Sequence, residues 1–126
     1  MRIDHITLLV SSLAASMPYY EALLPLLGFV KKRDHVWSDG EGFFFQFLEA
    51  RPNMSAYERY GAGMNHLGFS APDVATVHSV KQGMIDAGFD TPEIQLLGPA
   101  TALFMKDPDG IRFEVTHTAP GFDPVD

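Results

Sequence analysis

Apolar residues follow two rhythms along this chain of 126 residues. Short apolar or alternating stretches, the mark of strands, occupy residues 4–10, 29–33, 35–38, 43–49, 65–70, 93–97, 101–106 and 111–117. Two longer stretches carry the three-to-four spacing of a helix with one buried face. Residues 14–27 align Tyr20, Leu23, Leu24 and Leu27, and residues 74–87 align Val77, Val80, Met84 and Ala87. Pro18 and Pro25 break the hydrogen-bond ladder of the first helix and predict a distorted last turn. Both helices run into Gly-Phe, at Gly28-Phe29 and Gly88-Phe89, where a C-cap favours glycine. Asp39-Gly40 and Asp107-Pro108-Asp109-Gly110 are turn signals between strands.

The order of these elements repeats. Asp4-His5 opens one apolar run and Asn65-His66 opens another, and each is followed by a helix and then two or three strands. The chain therefore reads as a single α+β domain built from two similar modules. Module one covers about residues 1–50, a linker 51–63, module two 64–118 and a loose tail 119–126. Within the linker, residues 55–60 are predicted to form a short helical turn.

Composition narrows the function. Nine basic residues against 16 acidic ones leave a net charge of −7, which repels a phosphate backbone or an anionic membrane. Nucleic acid and membrane are excluded as partners on that ground. With no cysteine there is no disulfide, thiolate metal site or cysteine nucleophile, so any metal takes nitrogen and oxygen ligands. The N-terminal residues lack a signal-peptide pattern and no apolar run approaches the roughly 20 residues of a membrane helix. A cytoplasmic location is the expectation.

Strand alternation sorts the chemistry onto faces. His5 shares a side with Thr7 and Leu9, His66 with Gly68 and Ser70, and Glu114 with Arg112 and Thr116; the opposite sides are apolar. Two histidines and one carboxylate on a common cleft would form a facial set for a divalent ion with open positions. The alternative reading is that both histidines are ordinary strand residues and Glu114 a solvated acid. Repetition of the histidine at the same place in both modules is what favours the metal.

The segments Asp4-His5-Ile6-Thr7-Leu8, Tyr19 to Phe29, Asn65-His66-Leu67-Gly68-Phe69 and Lys106 to Val115, with its Asp-Pro-Asp-Gly turn and following Glu, resemble the vicinal oxygen chelate superfamily. That superfamily includes glyoxalase I, bleomycin- and fosfomycin-resistance proteins and extradiol dioxygenases. The resemblance spans about residues 3–118. It implies paired βαββ(β) modules forming curved mixed sheets around a cleft, the glyoxalase/bleomycin resistance/dihydroxybiphenyl dioxygenase fold, in a homodimer. It also implies a metal held by His5, His66 and Glu114. The fourth position of the four-ligand glyoxalase pattern falls on Gln46, a neutral oxygen donor that either ligates weakly or orients a water. The stretch 97–102 lacks the basic residues that fosfomycin-modifying relatives use for phosphonate, which disfavours that activity.

The resemblance thus implies a small enzyme dependent on a divalent metal (Fe, Zn, Ni, Mn or Co, not distinguished by these residues). Its small-molecule substrate would present adjacent oxygens to the ion, for a glyoxalase-like lyase or isomerase reaction or a dioxygenase-like one. Thr7, Trp37, Phe44, Ser70 and Arg112 are the candidates to line the substrate pocket; Trp37 and Phe44 read first as core or dimer contacts, and Arg112 suits a structural ion pair or an anionic group. The competing readings are a non-catalytic binder of the bleomycin-resistance kind, with an acidic, aromatic-lined groove, and a metal-bound scaffold.

Overall fold

A computed structural model of the chain describes residues 1–125. The elements follow as β1 (His5–Val10), α1 (Leu13–Leu26), β2 (Val30–Arg33), β3 (Val36–Ser38), β4 (Phe44–Glu49), β5 (Leu67–Ser70), α2 (Val74–Asp86), β6 (Gln95–Leu97), β7 (Ala100–Lys106) and β8 (Arg112–Thr118). They form two four-stranded mixed sheets, ordered β1-β4-β3-β2 and β5-β8-β7-β6. In each, the first strand pairs parallel with the last and the remaining pairs are antiparallel. The sequence repeat is thus a repeat of βαβββ modules.

Both helices start and stop alike. The side chains of Ser12 and Asp73 accept from Ala15 N–H (3.1 Å) and Thr76 N–H (2.7 Å), filling the N-cap. At the other end the N–H groups of Phe29 and Phe89 reach back to the carbonyls of Leu24 and Met84, both at 2.9 Å. That closure needs a left-handed residue before each phenylalanine, and Gly28 (φ 89°) and Gly88 (φ 91°) supply it. The last turn of α1 tightens as Pro25 predicts: Leu27 N–H is shared between Leu23 and Leu24 carbonyls, and Gly28 N–H turns back to Pro25. Residues 55–60, expected as a helical turn, form none. Six residues cannot repay helix nucleation, and this stretch is held instead by Tyr57, whose hydroxyl donates to the carbonyls of Met64 (2.7 Å) and Asn65 (2.8 Å).

One core serves both modules. Leu8, Val10, Phe45 and Phe47 from the first sheet join Leu103, Met105, Phe113 and Val115 from the second, together with Tyr20, Leu23 and Leu24 of α1 and Val77, Val80 and Met84 of α2. Where the helices meet, a Cβ on Gly83 would lie 2.7 Å from both Leu26 methyls, which accounts for a mid-helix glycine that costs about 1 kcal/mol in propensity. Because the apolar faces of both sheets are spent on this shared core, their polar faces point away from it.

Tyr20 ties the modules together at the centre. Its ring lies 4.3 Å from that of Phe47 and 5.7 Å from that of Phe113, centroid to centroid. Its hydroxyl donates at 2.6 Å to buried Asp107, which also accepts from the N–H groups of Asp109 (2.9 Å) and Ile111 (2.8 Å). The next acid of the same turn, Asp109, accepts from Ser11 N–H at the end of β1. The Asp-Pro-Asp-Gly turn is therefore a latch between modules as well as a connection between strands.

Burial pushes the Asp107 carboxyl above its ordinary 3.8, against the pull of the Tyr20 hydroxyl and the two amides. The folded chain then holds this proton more tightly than the unfolded one. The stabilisation linked to it is complete below 3.8 and is lost as pH rises through the folded-state value. Urea midpoints followed upward from pH 3.8 should accordingly fall in the wild type relative to Asp107→Asn, which does not titrate. Parallel curves for the two proteins would contradict this account.

Candidate metal centre

The outward faces carry the predicted polar residues, and strand register shows how they correspond. In the first sheet His5 lies opposite Phe44 and Thr7 opposite Gln46; in the second Gly68 lies opposite Glu114 and Ser70 opposite Thr116. Gln46 thus occupies in module one the place of Glu114 in module two, as alternation implies. His5 stacks on Phe44, with ring centroids 4.8 Å apart and planes within 11°.

The histidines are prepared in the same way. Asp4 Oδ2 lies 2.6 Å from His5 Nδ1, and Asn65 Oδ1 lies 2.7 Å from His66 Nδ1. Asn65 is itself oriented, its amide donating to the Arg59 carbonyl at 3.0 Å. An oxygen at Nδ1 places the ring proton there and leaves Nε2 as the bare nitrogen, the arrangement that metal-binding histidines use. For His66 that nitrogen faces Glu114 Oε2 at 3.1 Å. The other oxygen of Glu114 accepts from the Thr116 hydroxyl. A nitrogen and a carboxylate oxygen that are both acceptors call for a cation between them, either a second proton or a metal ion. These two donors are of the kind a divalent ion takes, but two are fewer than a facial set needs.

His66 and Glu114 are together; His5 is not with them. Among the described residues no three His, Asp or Glu side chains gather where one ion could be held. The reason is the shared core, which turns the two polar faces outward on different sheets. Of the two readings of Trp37, core contact holds and pocket wall does not. It lies opposite Phe45 on the inner face, only 5% exposed, so it belongs to the core and cannot wall a cleft. The register of the β3–β4 hairpin decides this, and a three-residue strand is too short for its pattern to reveal it. Phe44, Thr7, Ser70 and Arg112 stay on the polar faces.

Asp4, Asn65 and Thr116 contact the candidate ligands, a role that the sequence reading did not give them. Their signal was present, because an Asx precedes the histidine in both repeats.

Two βαβββ modules with an Asx-oriented histidine before or at the first strand and a glutamate on the last define a vicinal-oxygen-chelate architecture. Residues 2–115 match the family model of the Glyoxalase/Bleomycin resistance protein/Dioxygenase superfamily, and the chain belongs to that superfamily. Solved structures agree in fold. A glyoxylase/bleomycin resistance protein/dioxygenase domain from Frankia sp. EAN1pec is 20% identical, with a TM-score of 0.74 over 94% of this chain and 98% of that one. A glyoxalase family protein from Enterococcus faecalis is 21% identical (TM-score 0.70, 91% and 96% covered). A genomically encoded fosfomycin resistance protein from Listeria monocytogenes is 14% identical (TM-score 0.69, 95% of each chain covered). No curated protein gives a significant match. No helix among the described residues is long and apolar enough to cross a membrane.

Proposed function

We propose that this protein is a small divalent-metal-dependent enzyme acting on an organic substrate with two adjacent oxygens, in glyoxalase-like lyase or isomerase chemistry or dioxygenase-like chemistry. The observation that carries the reading is the bare Nε2 of His66 facing Glu114 at 3.1 Å, with Asn65 and Thr116 fixing the outer side of each group. A bound ion would polarise the substrate oxygens as a Lewis acid, or support oxygen chemistry if it is iron. The chain's own part is to hold that ion, to keep both histidines in the ligating tautomer, and to leave open positions for substrate. Gln46 carries no proton that it could exchange, so the carboxylate base of the four-ligand glyoxalase pattern is missing at its position.

His5 joins the set from a second copy of the chain in this reading. Support comes from the outward direction of the two polar faces and from the apolar residues left uncovered further along the same strand pair, Leu9 at 53% and Leu48 at 45% exposure. The protein in this reading is a cytoplasmic homodimer with sites made across its interface.

The test is the divalent metal content of purified wild type and His66→Ala. Wild type should retain a near-stoichiometric ion that the variant loses. If wild type holds no more metal than the variant, the enzyme reading fails and a metal-free binder replaces it. Asn65→Leu, which removes the oxygen behind His66 along with the amide bond to Arg59, should weaken metal affinity about 10–100-fold by direct titration. An unchanged affinity would show that Asn65 does not orient the ligand.

A further inference from the structure

One cation pair on the Glu114 face has no ion-pair partner among the described residues. Register places Lys106 directly opposite Arg112, at the same end of the second sheet and on the same side as Glu114. His66 immediately precedes β5, whose Leu67 pairs with Phe113, so Arg112 is the neighbour of His66 across the strands. Glu114 lies two residues further along, about 6–7 Å at the rise of a strand. Like charges facing each other across strands destabilise a sheet. The chain has 16 acids with which to neutralise such a pair, yet neither cation takes part in any ion pair among the described residues. Asp90 lines the same cavity without pairing to either. That cavity, about 330 Å³, is bounded by Thr91, Pro92, Phe104, Lys106 and Arg112. It combines an apolar wall with two cations against one acid, Asp90, and is of a size for a small ligand.

We propose that Arg112 and Lys106 form an oxyanion subsite beside the His66–Glu114 pair, so that the substrate bears a carboxylate or phosphate group besides its two chelating oxygens. The planar guanidinium takes two oxygens of such a group and the ammonium supplies a second, point-like charge. Where the group sits relative to an ion depends on the metal-centre reading; the subsite itself does not.

Malonate and inorganic phosphate are suitable probes, titrated separately into the metal-free full chain and followed by NMR shifts of the Arg112 and Lys106 side chains. Saturable binding of either supports the subsite, and the tighter of the two identifies the group. Arg112→Gln should weaken that binding at least about tenfold and Lys106→Gln severalfold, with Lys32→Gln on the other sheet unchanged. Equal affinity in wild type and Arg112→Gln overturns the proposal. So does an Arg112→Gln protein that loses its dimer without any wild-type anion binding, because the cations would then serve a partner chain. Retained anion binding in His66→Ala supports the subsite whatever becomes of the metal, so the two readings fail separately.

Discussion

Mixing His5→Ala chains with His66→Ala chains, each defective in metal binding alone, is expected to restore about a quarter of the wild-type metal sites. Each site in the proposed dimer draws His5 from one copy and the His66–Glu114 pair from the other. A heterodimer of the two variants therefore contains one site with both changes and one with neither. Random reassembly after brief unfolding makes about half of the dimers heterodimers, and half of their sites are intact. Metal titration of the mixture against each parent measures this directly. A site built within one chain would gain nothing from mixing, because every chain would still lack one ligand. Within the described residues of one chain no third His, Asp or Glu joins the His66–Glu114 pair, so a three-ligand site would need its third donor from elsewhere.

Tyr20→Ala should be the most damaging single change away from the candidate site, costing about 3–5 kcal/mol in urea unfolding. The fully buried ring fills the junction between Phe47 of one module and Phe113 of the other, and its loss leaves a cavity that two separate sheets cannot close. It also strands Asp107 with a burial cost no longer offset by the phenol. Against a typical domain stability of about 5–15 kcal/mol, that is a large share. Tyr20→Phe divides the effect: the ring stays and only the bond to Asp107 goes, for about 1.5–3 kcal/mol if the carboxylate is charged. A Tyr20→Ala protein with an unshifted midpoint would show that the modules do not depend on this junction.

Most of the fold was legible because its signals are local. Alternation sets the strands, the three-to-four spacing sets the helices, and the Gly-Phe stops and polar N-caps act within one turn of chain. Duplication of the Asx-His opening and of the helix behind it exposed the two modules. Strand faces were legible: alternation put Gln46 and Glu114 in equivalent places of the two modules, and the registers of β1 with β4 and β5 with β8 agree. The choice between core and pocket wall for Trp37, and the shape of residues 55–60, were not legible, for different physical reasons. The side of Trp37 is settled by pairing with Phe45, a contact outside its own strand. The 55–60 segment takes its shape from Tyr57 reaching to Met64 and Asn65.

By itself the sequence determined which side chains can serve as ligands, that they are nitrogen and oxygen donors, and that they recur in two equivalent places, because residue identity and strand parity are properties of the chain alone. Only the tertiary structure decided which of them meet. The two modules bury their apolar faces in one core around Tyr20, and that packing brings His66 to Glu114 while turning His5 away on another sheet. It also set Lys106 beside Arg112, a neighbour relation created by hairpin register across an intervening turn. Which faces look inward is an energetic outcome of packing both modules together, and no single stretch of chain contains it.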